Sequence, residues 1–223
     1  MLLRIDGLIP ASEVARIREV LATANFVDGK LTAGDAVRAI KNNLQVTERE
    51  EKVDSCRQSI LTALLAQEAF KLHVLPQRVL PPMFNRYDVG MEYGSHVDNA
   101  IMGGAEPLRA DMSLTVFLSD PAEYEGGGLI IHSDRRGKPL RLPAGSAIVY
   151  NSSTIHRVEP VTKGSRYAAV SWVQSFVRDE NKREVLAELA GLARWARRTA
   201  PGSEEAMRIA KLRANLMRMW SEI

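Results

Sequence analysis

Residues 86–98 read Arg-Tyr-Asp-Val-Gly-Met-Glu-Tyr-Gly-Ser-His-Val-Asp, and the architecture of the chain hangs on the last three. On a strand, residues two apart project from the same side, so His96 and Asp98 can offer an imidazole nitrogen and a carboxylate oxygen to one cation. A third donor, His156, follows the strand-like run Ser146-Ala147-Ile148-Val149-Tyr150. Arg166 then opens a second β-rich run, Arg166-Tyr167-Ala168-Ala169-Val170-Ser171-Trp172-Val173. Two histidines and one carboxylate on one face leave several coordination positions open, the arrangement with which non-heme Fe(II) seats a chelating cosubstrate and dioxygen. A lone H-x-D pair is common in any chain. The glycine-punctuated lead-in at 86–90 and the two β-rich runs beside the distal histidine and the arginine give this one its weight.

Working outward, residues 74–177 carry short β-rich runs broken by Gly, Pro and Asn. Among them are Ser113 to Leu118, Leu129 to His132, Ala147 to Tyr150 and Ala168 to Phe176, the pattern of a sandwich or jelly-roll barrel. Helical periodicity precedes them. Ser12 leads a stripe of Val14, Ile17, Val20, Leu21 and Ala24, and Thr47 with Glu50 makes a capping-box signature before Val53, Ile60, Leu61, Leu64 and Leu65. Helices return from about Glu180 to Arg198 and from Ser203 to Trp220, separated by Pro201-Gly202. Val185, Leu189, Leu192 and Ala196 recur at helical spacing in the first of these, and Ile209, Leu212, Leu216 and Met219 in the second. The expected fold class is mainly β with flanking helices. Residues 1–177 are expected to make one domain and residues 178–223 a helical extension that covers its surface or meets another subunit.

The chain has 223 residues, 45% hydrophobic and 26% charged, enough for one well-buried domain and ordinary for a soluble protein. Its net charge of +3 lies in the tail: residues 178–223 hold ten Lys and Arg against seven Asp and Glu, and the remainder balances. Those charges are mixed in sign and helically spaced, so they read as a solvated face and no nucleic-acid partner is expected. The segment Met1 to Asp6 lacks the apolar core of a signal peptide, and no stretch approaches the roughly twenty apolar residues of a membrane span. A single cysteine, Cys56, suits a reducing compartment and a packed helical position. The expectation is a cytoplasmic protein without a membrane partner.

Three motifs in sequence order bring a family into view: R-Y-x-x-G-x-x-Y-x-x-H-x-D from Arg86, E-G-G-x-L from Glu125, and G-S-A-I-V-Y from Gly145 continuing through H-x-V-x-P-V-x-x-G-x-R-Y to Tyr167. Together they resemble the Fe(II)/2-oxoglutarate dioxygenases related to prolyl 4-hydroxylase, in particular the bacterial PKHD-type hydroxylases of the PiuC/YbiX group. The likeness spans nearly the whole chain, including Ile5 to Pro10 and Lys41-Asn42-Asn43-Leu44-Gln45. It implies a double-stranded β-helix, or jelly-roll, core. It also implies that His96, Asp98 and His156 are iron ligands, that Arg166 anchors the distal carboxylate of 2-oxoglutarate, and that Tyr87 hydrogen-bonds the same cosubstrate. A planar guanidinium fork suits that carboxylate, and Arg166 follows the arginine branch of a pattern in which animal collagen prolyl hydroxylases carry lysine. The implied activity couples oxidative decarboxylation of 2-oxoglutarate to hydroxylation of a substrate, with ascorbate assisting by re-reducing iron. The substrate stays open: a protein residue, an amino acid, or a small molecule linked to iron uptake.

Other residues read more plainly. Glu125-Gly126-Gly127-Gly128 lacks the lysine and following helix of a phosphate loop and is expected to turn into a strand. His132 and His73 are expected to stay outside the metal set. Tyr93 and Trp172 are expected near the cavity mouth as substrate contacts, with core packing as the alternative. Asn99-Ala100-Ile101-Met102-Gly103-Gly104 reads as a lid loop. Two other functions share these residues. One is a catalytically silent sensor of iron or 2-oxoglutarate that signals through its helical tail, and the other is a cupin-like protein holding zinc or manganese.

Overall fold

The computed structural model describes residues 1–32, 34–47, 50–132 and 137–223. Every strand pairing among them is antiparallel. The larger sheet runs in the order Leu2–Ile5, Ala147–Asn151, Met112–Phe117, Arg166–Ser175, Met83–Tyr87, Leu44–Val46, Phe26–Asp28, with Pro76–Val79 also pairing along Arg166–Ser175. A smaller sheet runs Leu129–Ile131, His156–Val158, Glu92–His96, Lys41–Asn42. The expected flanking helices are present, but with helices as extensive as the antiparallel strands the chain is mixed α/β rather than mainly β.

Strand alternation sorts the side chains. From Met112–Phe117 and Ala147–Asn151, Leu114, Val116, Ala147 and Val149 point to the helical side and pack with Ile17, Leu21, Ile60, Leu64, Phe70 and Val74. Their neighbours Phe117, Ile148 and Tyr150 point the other way, toward Leu129, Ile131 and Val158 of the smaller sheet. One face of the large sheet is therefore sealed by helices Ala11–Ala22, Asp54–Ala66 and Glu68–Val74. The opposite face is free to wall a cavity.

Two local expectations give way. The capping box at Thr47 does not form, because a single 3-10 turn at Glu51–Val53 intervenes and the helix starts at Asp54 with no side-chain cap. Buried Arg57 takes over the neighbourhood by donating to the carbonyls of Thr47 and Glu50 at 3.3 and 3.5 Å. The stripe expected in helix Glu180–Thr199 is partly rotated: Ala196 is buried as expected, but Val185 and Leu192 are 41% and 51% exposed and Leu186, Ala190 and Ala193 are buried in their place. The cause is Arg183, which is taken inside to donate to the carbonyls of Val177 and Arg178 and to Asn151 Oδ1. The alanines beside it admit the second helix, Glu204–Trp220, whose Leu216, Met217 and Trp220 pack with Val177 and Leu186. No helix of the described residues is long and apolar enough to cross a membrane.

Candidate metal centre

His96 ends one strand of the smaller sheet, His156 begins the next, and the two are direct cross-strand partners. Asp98 lies just past the strand end, so the turn of the chain rather than strand alternation carries its carboxylate inward. Asp98 Oδ1 stands 3.7 Å from His96 Nε2 and 3.8 Å from His156 Nε2. The three donor atoms lie within 4.8 Å of one another, the only such group of three found among the described residues.

Each donor is held by a second contact. The Nδ1 atoms of His96 and His156 sit 2.8 and 3.0 Å from the carbonyls of Gly94 and Thr154, respectively. A carbonyl only accepts, so both Nδ1 atoms carry hydrogen and both Nε2 lone pairs face the centre. Burial pushes His96 down to about 4, with His156 adding to the effect, which keeps its imidazole neutral and able to ligate. Asp98 Oδ2 accepts from Ser113 Oγ and, at 2.9 Å, from Trp172 Nε1, leaving Oδ1 for a cation. Two neutral imidazoles and a carboxylate, oriented in this way, fit a divalent transition metal.

The cavity beside these donors has a volume of about 70 Å³, and Tyr87, Ser113, Thr115, Tyr150, Arg166 and Trp172 are among its walls. Arg166 is 2% exposed, pairs with Tyr87 across adjacent strands, and has its guanidinium carbon 5.2 Å above the Tyr87 ring. No carboxylate of the described residues reaches its guanidinium, and its Nε has no hydrogen-bond partner. A buried cation without an anion is costly, so the arrangement fits a carboxylate-bearing ligand. Gly127 makes room for it: its φ is +61°, and a Cβ there would sit 3.2 Å from Arg166 Cδ. The glycine run is structural, as expected. Burial raises the Tyr87 hydroxyl despite Arg166, so it enters as a neutral donor.

Tyr93 lies over His96, ring centroids 3.7 Å apart and nearly parallel, and lines the cavity. Trp172 also lines it, with its indole N–H committed to Asp98. His132 and His73 are exposed and outside the donor group. The stretch expected to be a lid pairs Ile101–Met102 with Leu108–Arg109, and lines a larger outer groove of about 700 Å³. Lys41, Met83 and Trp172 border both spaces.

Sequence reasoning missed a polar wall. Asn43 and Gln45 both donate to Asn85 Oδ1 at 2.8 Å, Thr32 Oγ1 donates to Gln45 Oε1, and Lys41 Nζ donates to Thr32 Oγ1 at 3.1 Å. Ser113 and Thr115 were also missed, although hydroxyls alternating with Leu114 and Val116 in a fully buried strand are a readable sign of a polar cavity. Gly29 is part of this wall, since a Cβ on it would meet Asn43 Oδ1 at 2.0 Å. Gly29→Ala is expected to displace Asn43 and cost about 1–3 kcal/mol of stability, read by denaturant unfolding. An unchanged midpoint would show that Asn43 has room to move. Trp172→Phe, which removes one of the two donors to Asp98, should weaken iron binding about tenfold or more in a competition titration. Wild-type affinity in that variant would rule out an orienting role.

Comparison with known proteins accords with this geometry. Residues 82–174 match the model of the 2OG-Fe(II) oxygenase superfamily. The chain is 45% identical over 224 residues to a PKHD-type hydroxylase of Synechococcus elongatus, and 38% identical over 227 residues to one of Acinetobacter baumannii, covering 100% of both chains in each case. Among solved structures, a Pseudomonas putida prolyl-4-hydroxylase shares the fold with a TM-score of 0.55 and 19% identity, over 78% of this chain and 92% of that one. With sequence likeness running end to end, the chain belongs to the PKHD-type hydroxylases, 2-oxoglutarate-dependent dioxygenases of the 2OG-Fe(II) oxygenase superfamily.

Proposed function

We propose that His96, Asp98 and His156 hold Fe(II), and that Arg166, assisted by the Tyr87 hydroxyl, binds the distal carboxylate of 2-oxoglutarate. The observation that carries this reading is a buried guanidinium without an anion opening onto the same cavity as three converging donor atoms. Iron with 2-oxoglutarate supplies C–H oxidation: one oxygen atom of O2 enters succinate as CO2 leaves, and the other enters the substrate as a hydroxyl. The chain's residues do the rest. The carbonyls of Gly94 and Thr154 fix the imidazoles, Ser113 and Trp172 fix Asp98, and Leu129, Tyr150 and Val158 keep the chamber dry.

In this reading residues 1–177 are the dioxygenase domain with a double-stranded β-helix core, and residues 178–223 are a helical extension packed on it. The buried Arg183 contacts support the packing. Val185, Leu192, Trp195, Leu212 and Met219, which face outward, support a subunit contact on the far side.

Anaerobic Fe(II) and 2-oxoglutarate together should give the chelate's visible charge-transfer band, and either alone should not. No band with both present would refute the shared centre, and a band that survives Arg166→Gln at limiting cosubstrate would remove Arg166 from it.

A further inference from the structure

Lys41 lies where the inner cavity meets the outer groove. It is 5% exposed, sits on a short strand beside Tyr93, and holds its ammonium 5.3 Å from the centre of the Tyr93 ring. Thr32 Oγ1, at 3.1 Å, is its one hydrogen-bond acceptor among the described residues, and no described carboxylate comes within ion-pair distance. An ammonium has three N–H bonds, so two are left to face the seam.

Charge balance says what belongs there. With the centre filled as proposed above, the two positive charges of iron and that of Arg166 are matched by dianionic 2-oxoglutarate and Asp98. The Lys41 ammonium is then a buried charge with no described carboxylate in contact, Asp28 acting on it only from beyond ion-pair distance, a state that proteins avoid. The groove beyond it has an apolar side made by Leu80, Pro82, Met83, Met102 and Trp172, which suits an apolar body, while Asp54, Arg57, Asn99 and Glu106 are among its other walls.

We propose that Lys41 is the substrate anchor, and that the hydroxylated substrate carries a single carboxylate on an apolar body: the carboxylate pairs with Lys41 while the body lies in the outer groove. Tyr93, stacked between Lys41 and His96, spaces the anchored group from the metal. This narrows the open choice of substrate to acids and disfavours neutral or cationic molecules. The inference rests on the iron and 2-oxoglutarate reading, and its test keeps the two apart.

The test uses the full-length protein loaded with Mn(II) and saturating 2-oxoglutarate, titrated by calorimetry with hexanoate and with hexanamide. Wild type should bind the carboxylate about tenfold or more tighter than the amide. Lys41→Gln should abolish that preference, and Lys41→Arg should retain it. The proposal is overturned if wild type binds both probes equally or binds neither. It is also overturned if Lys41→Gln keeps the preference, or loses affinity for 2-oxoglutarate instead. The wild-type comparison decides even where a variant does not fold. Failure of the underlying reading shows separately, as wild type that does not take up 2-oxoglutarate with the metal.

Discussion

Arg166→Gln is expected to weaken 2-oxoglutarate binding about a hundredfold or more while iron stays bound. The side chain is buried, its guanidinium meets no acid among the described residues, and it stands over the ring of Tyr87, the residue it faces across the sheet. Glutamine keeps some reach and hydrogen bonding but removes the charge and the fork, so a bound carboxylate would sit in a dry chamber without a counter-ion. The proposed metal donors occupy the smaller sheet and the residues just after one of its strands, across the cavity, and are not supported by the Arg166 side chain. Calorimetry on the Mn(II) form gives the cosubstrate affinity, and an iron titration gives the metal. A cosubstrate affinity within about twofold of wild type would remove Arg166 from the site.

Asp98→Ala should remove stoichiometric iron and all succinate release. Its Oδ1 is the negatively charged donor of the three, and it faces both Nε2 atoms at 3.7 and 3.8 Å. The change also leaves Ser113 and the Trp172 indole without their acceptor, so the Asp98→Asn variant, which keeps an acceptor oxygen, is the better control for the fold. His96→Ala and His156→Ala should lose iron as well, with circular dichroism close to wild type. Any of these variants that retained wild-type iron content and turnover would exclude that residue from the ligand set.

Much of the centre was legible in the chain because its donors are local in sequence or stand at strand ends, where residue type and spacing carry the meaning. Arg166 opening a strand and the last helix beginning near Ser203 were read from neighbouring residues alone. What stayed hidden depends on contacts between distant segments. The pairing of Asn43 with Asn85, 42 residues away, and the bond from Trp172 to Asp98, 74 residues away, have no local signature. The rotation of helix Glu180–Thr199 was hidden for a related reason. Hydrophobic periodicity favours Val185 and Leu192, yet Arg183 finds three oxygen acceptors at its base and turns the helix toward the alanines. Periodicity weighs apolar area and is blind to an arginine that the fold can satisfy.

The direct register of His96 with His156 has a consequence for the lifetime of the protein. These residues come from segments sixty positions apart, and each ring is already tethered to a carbonyl of its own segment. A cation shared between them, as proposed above, would tie the two strands together, and by mass action its free concentration would set how often they part. If His96 and His156 hold iron as proposed, iron supply would set how long the folded protein resists opening as well as how fast each copy works, and scarcity would lower both together.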